Sequence, residues 1–138
     1  MTLFGAIDTS GSGLTVYRKW MDAISDNIAN VNDTTSPDEP AFQERFIVAR
    51  ARSAAGGAAE SGAAGVDVAG VQLGDATGEL VSDPGNPLAD ANGMVRKTTI
   101  DLGEQMTGLL IAQRSYQANL AVVERARDAY QAALQIGR

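Results

Sequence analysis

Residues 101–134 read DLGEQMTGLLIAQRSYQANLAVVERARDAYQAAL, and their spacing decides the fold. Leu102, Met106, Leu109, Gln113, Tyr116, Leu120, Val123, Arg127, Tyr130 and Leu134 alternate steps of four and three without a break. Such a/d spacing lays one stripe along a helix and asks for a partner helix. Gln113 and Arg127 are its polar members. They either sit at a partly wet edge or set register and partner choice. Asp101 can cap the helix, with Glu104 three residues on as in a capping box. Within the predicted helical segment, 100–138, the periodic stretch from Leu102 to Leu134 alone is about 50 Å long at 1.5 Å per residue.

A second heptad pattern lies at the other end, in 1–32. Ile7, Leu14, Met21 and Ile28 are seven apart, and Ser10, Tyr17, Ile24 and Val31 form the companion row. Gly11 and Gly13 weaken this helix by roughly 1 kcal/mol each against alanine. Asn27, Asn30 and Asn32 crowd its end, where asparagine suits caps and turns. Over about 25 residues this helix reaches only about 37 Å. The expected architecture is therefore mainly α with a small β region. The terminal helices pair as a coiled-coil-like α-hairpin, and part of the longer seam is left for neighbouring molecules.

The middle, 33–99, reads differently. Residues 33–40 form a loop broken by Pro37 and Pro40. Residues 41–52 are strand-like, with Phe42, Phe46 and Val48 on one parity. Residues 53–65 are nearly all Ala, Gly and Ser and read as a flexible tether. Val66, Val68, Val71 and Leu73 suggest a strand interrupted at Gly70, Leu80-Val81 a third, and 94–98 a last. Residues 83–93, DPGNPLADANG, pack Pro-Gly, Asn-Pro and Asn-Gly into one tightly turned, ordered loop.

Composition excludes much chemistry. Of 138 residues 44% are hydrophobic, but 23 are alanine, so a large private core is not expected. The net charge of −6, with only Lys19 and Lys97 as lysines, supplies no basic face for nucleic acid. With no histidine and no cysteine, the usual base, thiolate and imidazole ligand are missing. Ser10-Gly11-Ser12-Gly13 therefore reads as small helix-surface residues, not a flanked nucleophile. No P-loop occurs. Asp83, Asn86, Asp90 and Asn92 lack EF-hand spacing and read as turn formers. Asn32-Asp33-Thr34 fits a glycosylation sequon and carries no weight. Trp20, the single tryptophan, is assigned to packing. No catalytic, cofactor or metal site and no small-molecule substrate is expected. No apolar run approaches the roughly 20 residues of a membrane span. A Sec-type leader is not expected, which leaves the cytoplasm or an export route without cleavage.

Three separated stretches resemble the flagellar rod and hook family. Residues 25–32, SDNIANVN with Asn27 and Asn30, are similar to the signature that closes the family's first helix. Residues 114–119, RSYQAN with Ser115, Tyr116, Gln117 and Asn119, resemble its C-terminal signature. The stretch Asp83, Pro84, Gly85, Asn86, Pro87, Leu88, Ala89 and Asp90, with Gly93 and Val95, is similar to one proximal-rod branch of the family. The length and composition of 53–65 depart from the family pattern.

The resemblance implies a structural subunit of the flagellar basal body. It would polymerise helically into the proximal rod, a drive shaft and export channel carrying torque from motor to hook. It also implies a periplasmic position, reached unfolded through the type III channel without signal cleavage. Expected partners are copies of the chain, other proximal rod proteins, the distal rod protein, and membrane-embedded ring and export-gate components. The expected assembly seams are Leu14, Tyr17, Met21, Ile24, Ile28 and Val31 on the first helix, and Met106, Leu109, Tyr116, Leu120, Val123, Tyr130 and Leu134 on the last. Asn27 and Asn30 are expected to cap the first helix and bond across near Gln117 and Asn119, and the terminal helices to be poorly ordered before assembly. Two alternatives stand beside this reading: a non-flagellar exported coiled-coil adaptor, and another rod or hook subunit.

Overall fold

The computed structural model describes residues 3–52 and 65–136, so all of the expected tether but Gly65 lies outside the described residues. Helix α1 runs Leu3–Ala29 and helix α2 Leu102–Ile136. Between them lie β1 (Thr34–Thr35), β2 (Arg45–Ala51), β3 (Val66–Leu73), β4 (Glu79–Ser82) and β5 (Met94–Lys97). The chain is mainly helical with a small β region.

Local chemistry explains the element ends. At the start of α2, Asp101 Oδ1 accepts the N–H groups of Gly103 (2.7 Å) and Glu104 (3.1 Å), satisfying two donors left over by the first turn. The antiparallel sheet β1-β5-β4 is pinned in register by Thr34 opposite Lys97 and Val81 opposite Val95. Gly78, at φ +58°, lets the chain turn into β4. A Cβ there would sit 2.5 Å from the Lys97 carbonyl oxygen.

Three strand expectations need correction. The strand expected from Ala41 begins at Arg45. The segment before it is held differently, with the Ala41 N–H on the Ala76 carbonyl and the Thr98 hydroxyl on the Phe42 carbonyl. Gly70 does not interrupt β3, which runs unbroken from Val66 to Leu73 and forms a two-stranded sheet with β2. Residues 33–40 are not all loop: Thr34 and Thr35 pair with β5, in a stretch too short to show alternation.

Two compact units are present. One gathers Met1–Met21, Ile47–Gly70 and Leu110–Arg138; the other gathers Asp22–Phe46 and Val71–Leu109. The second holds the larger buried side chains, Ile24, Val95 and Ile100, with Ala23 and Ala41. In the first, the buried residues are small: Ser10, Ser12, Gly13, Ala112 and Ala126. Small buried residues let α1 and α2 approach closely. A Cβ on Gly13 would lie 3.3 Å from Asn119 Oδ1, and the Phe4 and Tyr130 rings meet edge-on at 5.6 Å. The contacts run in opposite directions along the two helices.

The first unit is also stapled where β2 ends and β3 begins. The Arg52 N–H donates to the Gly65 carbonyl at 3.0 Å, and its guanidinium reaches Asp67 Oδ1 at 2.8 Å. The Ser12 hydroxyl accepts the Val66 N–H and donates to the Thr9 carbonyl, tying β3 to α1.

Candidate assembly surface and its polar latch

On α2 the rows facing the rest of the chain are not quite those that bulk predicts. Gln105, Ala112 and Ala126, with half-buried Asn119, are spaced by seven and form the inward row. Leu109, Tyr116 and Val123, half-buried, form the row beside it. Met106, Leu120 and Leu134 form a third row and stand 48%, 39% and 56% exposed, with Gln113 and Arg127 also exposed among them. Tyr130 is exposed as well. The expected seam is therefore split: one row lies against its own chain, while the other lies open.

On α1, Ile24 is buried, and Leu14, Tyr17, Met21 and Ile28 are half-buried; Val31, expected on this helix, is half-buried in the turn beyond Ala29, where its N–H closes on the Ile28 carbonyl. Ser10, Gly13 and Asn27 are the buried small or polar residues of this helix, together with Ser12 and Ala23. Tyr17 and Trp20 lie with ring centroids 6.2 Å apart beside an apolar groove of about 320 Å³ lined also by Val16, Ile47 and Val66. Trp20 is half-buried and lines this groove.

Asn27 makes a latch that sequence reasoning placed only in part. It is 1% exposed, and both ends of its amide are used. Oδ1 accepts the Arg45 N–H at 2.9 Å, while Nδ2 donates to the Arg45 carbonyl at 3.1 Å and to Gln105 Oε1 at 3.0 Å. Gln105 Nε2 continues to Glu44 Oε1 at 2.6 Å. Asn27 thus does bond across to α2, but to Gln105, not near Gln117 and Asn119. The antiparallel run explains the difference, because late residues of α1 face early residues of α2. Asn119 instead lies against Gly13 and donates to the Ser115 carbonyl, and Gln117 is exposed. Asn30 turns back to the Asp26 carbonyl at 2.7 Å and makes an end-of-helix bond. Gln105 was missed because a glutamine interrupts no apolar count. Its signal was the seven-residue spacing to Ala112, Asn119 and Ala126.

The 83–93 loop is stitched from within. The Asp83 N–H donates to the Gly93 carbonyl at 2.9 Å, and Asn86 Oδ1 accepts the Leu88 N–H at 3.0 Å. Asn86 Nδ2 reaches Asp83 Oδ2 at 3.2 Å and Thr34 Oγ1 at 3.4 Å. The Met94 N–H, joined by both amides of Asn92, holds the Asp90 carboxyl below the usual carboxylate range. Arg52 does the same for Asp67. Asp83, Pro84, Gly85, Pro87 and Leu88 lie on the surface. Among the described residues no group of three or more acidic, Cys or His side chains could hold a metal ion, and no helix is long and apolar enough to cross a membrane.

Comparison with known proteins bears on these features together. A family model described as flagella basal body rod protein matches residues 7–37, and one described as flagellar basal body rod FlgEFG protein C-terminal matches 91–136. The flagellar basal-body rod protein FlgC of Salmonella typhimurium is 35% identical over the whole of both chains. That of Escherichia coli O6:H1 is 34% identical over the same extent, and that of Bacillus subtilis 29% identical, again over the whole of both.

Proposed function

This chain belongs to the flagellar basal-body rod protein FlgC family, a structural subunit of the bacterial flagellar rod, and on that premise we propose how it builds the assembly. It polymerises helically in the proximal part of the rod, as a coupling element and not a catalyst, and helps form the shaft and channel that carry torque and export. Its helices, 1–32 and 100–138, form the inner layer, and 33–99 supplies the outer contacts. The pairing of α1 with α2 is coiled-coil-like. The chain works in the periplasmic space, reached through the export channel without cleavage. Its neighbours are copies of itself, other proximal rod proteins, the distal rod protein, and ring and export-gate components.

The observation that carries this reading is the divided seam of α2. Ala112 and Ala126 are buried within the chain, while Met106, Leu120 and Leu134, two rows over, are largely left to water. Covering what remains exposed of each such side chain is worth roughly 1 kcal/mol before the cost of ordering. Half-buried Leu109, Tyr116 and Val123, with Leu14, Tyr17, Met21, Ile24 and Ile28 of α1 and Val31 just beyond it, complete the seam from the inside. The exported-adaptor alternative is not favoured, since the likeness to rod proteins runs through the whole chain, including 83–93.

The test is a strain lacking the endogenous protein, complemented with this chain. Basal bodies purified from it should carry complete rods, and cells should swim. Normal rods and swimming in the uncomplemented strain would overturn the assignment.

A further inference from the structure

Of the six asparagines in the chain, Asn92 alone precedes glycine. Asn27, Asn30 and Asn119 precede bulky apolar residues, Asn32 precedes Asp33, and Asn86 precedes a proline with no N–H. Glycine leaves the following backbone nitrogen free of side-chain hindrance. Asn92 is exposed, in a surface loop with no packing over it. Asparagine is among the thermally labile residues. The chemistry needs no cofactor. The Gly93 nitrogen attacks Asn92 Cγ, an N–C bond forms, the Cγ–Nδ2 bond breaks and ammonia leaves. Water then opens the cyclic imide to aspartate or isoaspartate.

Both nitrogens of this step are held by Asp90. The Gly93 N–H donates to the Asp90 carbonyl at 3.0 Å, which engages the attacking nitrogen. Asn92 Nδ2, the leaving group, donates to Asp90 Oδ2 at 3.2 Å. The Asn92 and Met94 N–H groups donate to Asp90 Oδ1 at 2.8 and 2.9 Å and fix the backbone on both sides. Gly93 itself is set at φ +73°, with a would-be Cβ 3.0 Å from Pro84 Cγ.

We propose that Asn92-Gly93 is a latent self-modification site, silent while Asp90 holds the loop and converted to aspartate or isoaspartate whenever the loop opens. Conversion is one-way. It places a new carboxylate against Asp90, and the isoaspartate form adds a backbone atom inside the span that pairs Asp83 with Gly93. A subunit that stays unfolded too long is thereby marked and loses the loop's register.

The test uses the full chain at neutral pH, once folded and once in urea, with the peptide carrying Asn92 followed by mass spectrometry for amide loss and isoaspartate. Conversion in urea should exceed that in the folded chain by about tenfold or more, the factor a modest local opening equilibrium supplies. Asp90→Asn keeps a carbonyl for the two backbone donors but turns an amide toward the Asn92 amide. The folded variant, its helix content checked by circular dichroism, should convert several-fold faster than the folded parent. Equal rates in the folded and unfolded parent, no conversion at Asn92 in urea, or a folded variant at the parent's rate would each overturn the proposal. Should the variant lose helix, the parent comparison decides alone.

Discussion

The side-chain amide of Asn27 donates to Gln105 Oε1 at 3.0 Å across 78 positions of sequence, joining the end of α1 to the start of α2. Both residues are almost wholly buried, so each depends on the other for a partner that water cannot supply.

Asn27→Ala should therefore cost about 2–3 kcal/mol, because the Arg45 N–H and Gln105 Oε1 lose their partner in a closed site. Asn30→Ala, which removes a bond to its own helix at the Asp26 carbonyl, should cost under about 1 kcal/mol. Urea denaturation of the two variants checks this. Equal losses would contradict the latch.

Gly11 and Gly13 should respond in opposite ways to enlargement. A Cβ on Gly11 meets nothing within 4 Å, so Gly11→Ala should gain up to about 1 kcal/mol from helix propensity alone. Gly13→Leu should lose stability, because its side chain would have to displace Asn119 from a contact already at 3.3 Å. Thermal melts would reveal the sign of each.

Leu120 and Val123 separate assembly from folding. Leu120→Glu lies in the open row, and the monomer's stability should change by no more than about 0.5 kcal/mol while rod formation fails. Val123→Glu lies in the half-buried row and should destabilise the monomer itself. The readouts are monomer melting and electron microscopy of basal bodies. Rods formed normally by Leu120→Glu would remove the open row from the interface.

Helix content of the dilute monomer should fall below that of the two helices, because half the seam lacks its cover. Circular dichroism against concentration measures it, and a fully helical, cooperatively melting monomer is the contrary result.

Acid should loosen the 83–93 loop in a defined direction. Asp90 is depressed from 3.8, chiefly by the Met94 N–H, so its contribution is complete above the unfolded value and disappears as pH falls through the lower folded value. Asp67 behaves alike through Arg52. Amide exchange at Met94 should thus quicken, relative to an unstructured peptide, only below about pH 3.8. Quickening already near neutrality would point to another group.

Much of this fold was legible where periodicity was long. Both helices, β4, β5 and the turned loop could be read because each carries a pattern that its own chemistry enforces. Which face of α2 turns inward was not legible. Apolar counting rewards Met106 and Leu120, whereas close helix approach rewards Ala112, Ala126 and the gap at Gly13. Two-residue β1 carries no alternation to read. Half of the latch was visible as an asparagine at a helix end, but its partner Gln105 is polar and lies in the small-residue row outside the seam that apolar bulk marks.

The staple of Arg52 on Gly65 and Asp67 separates the fold from whatever length of chain is spliced between those points. Once the exits are fixed, each doubling of that length adds only about 0.6 kcal/mol of closure entropy. A change in the number of residues between positions 52 and 65 should therefore cost little, with the Arg52–Asp67 pair and the bond to Gly65 kept.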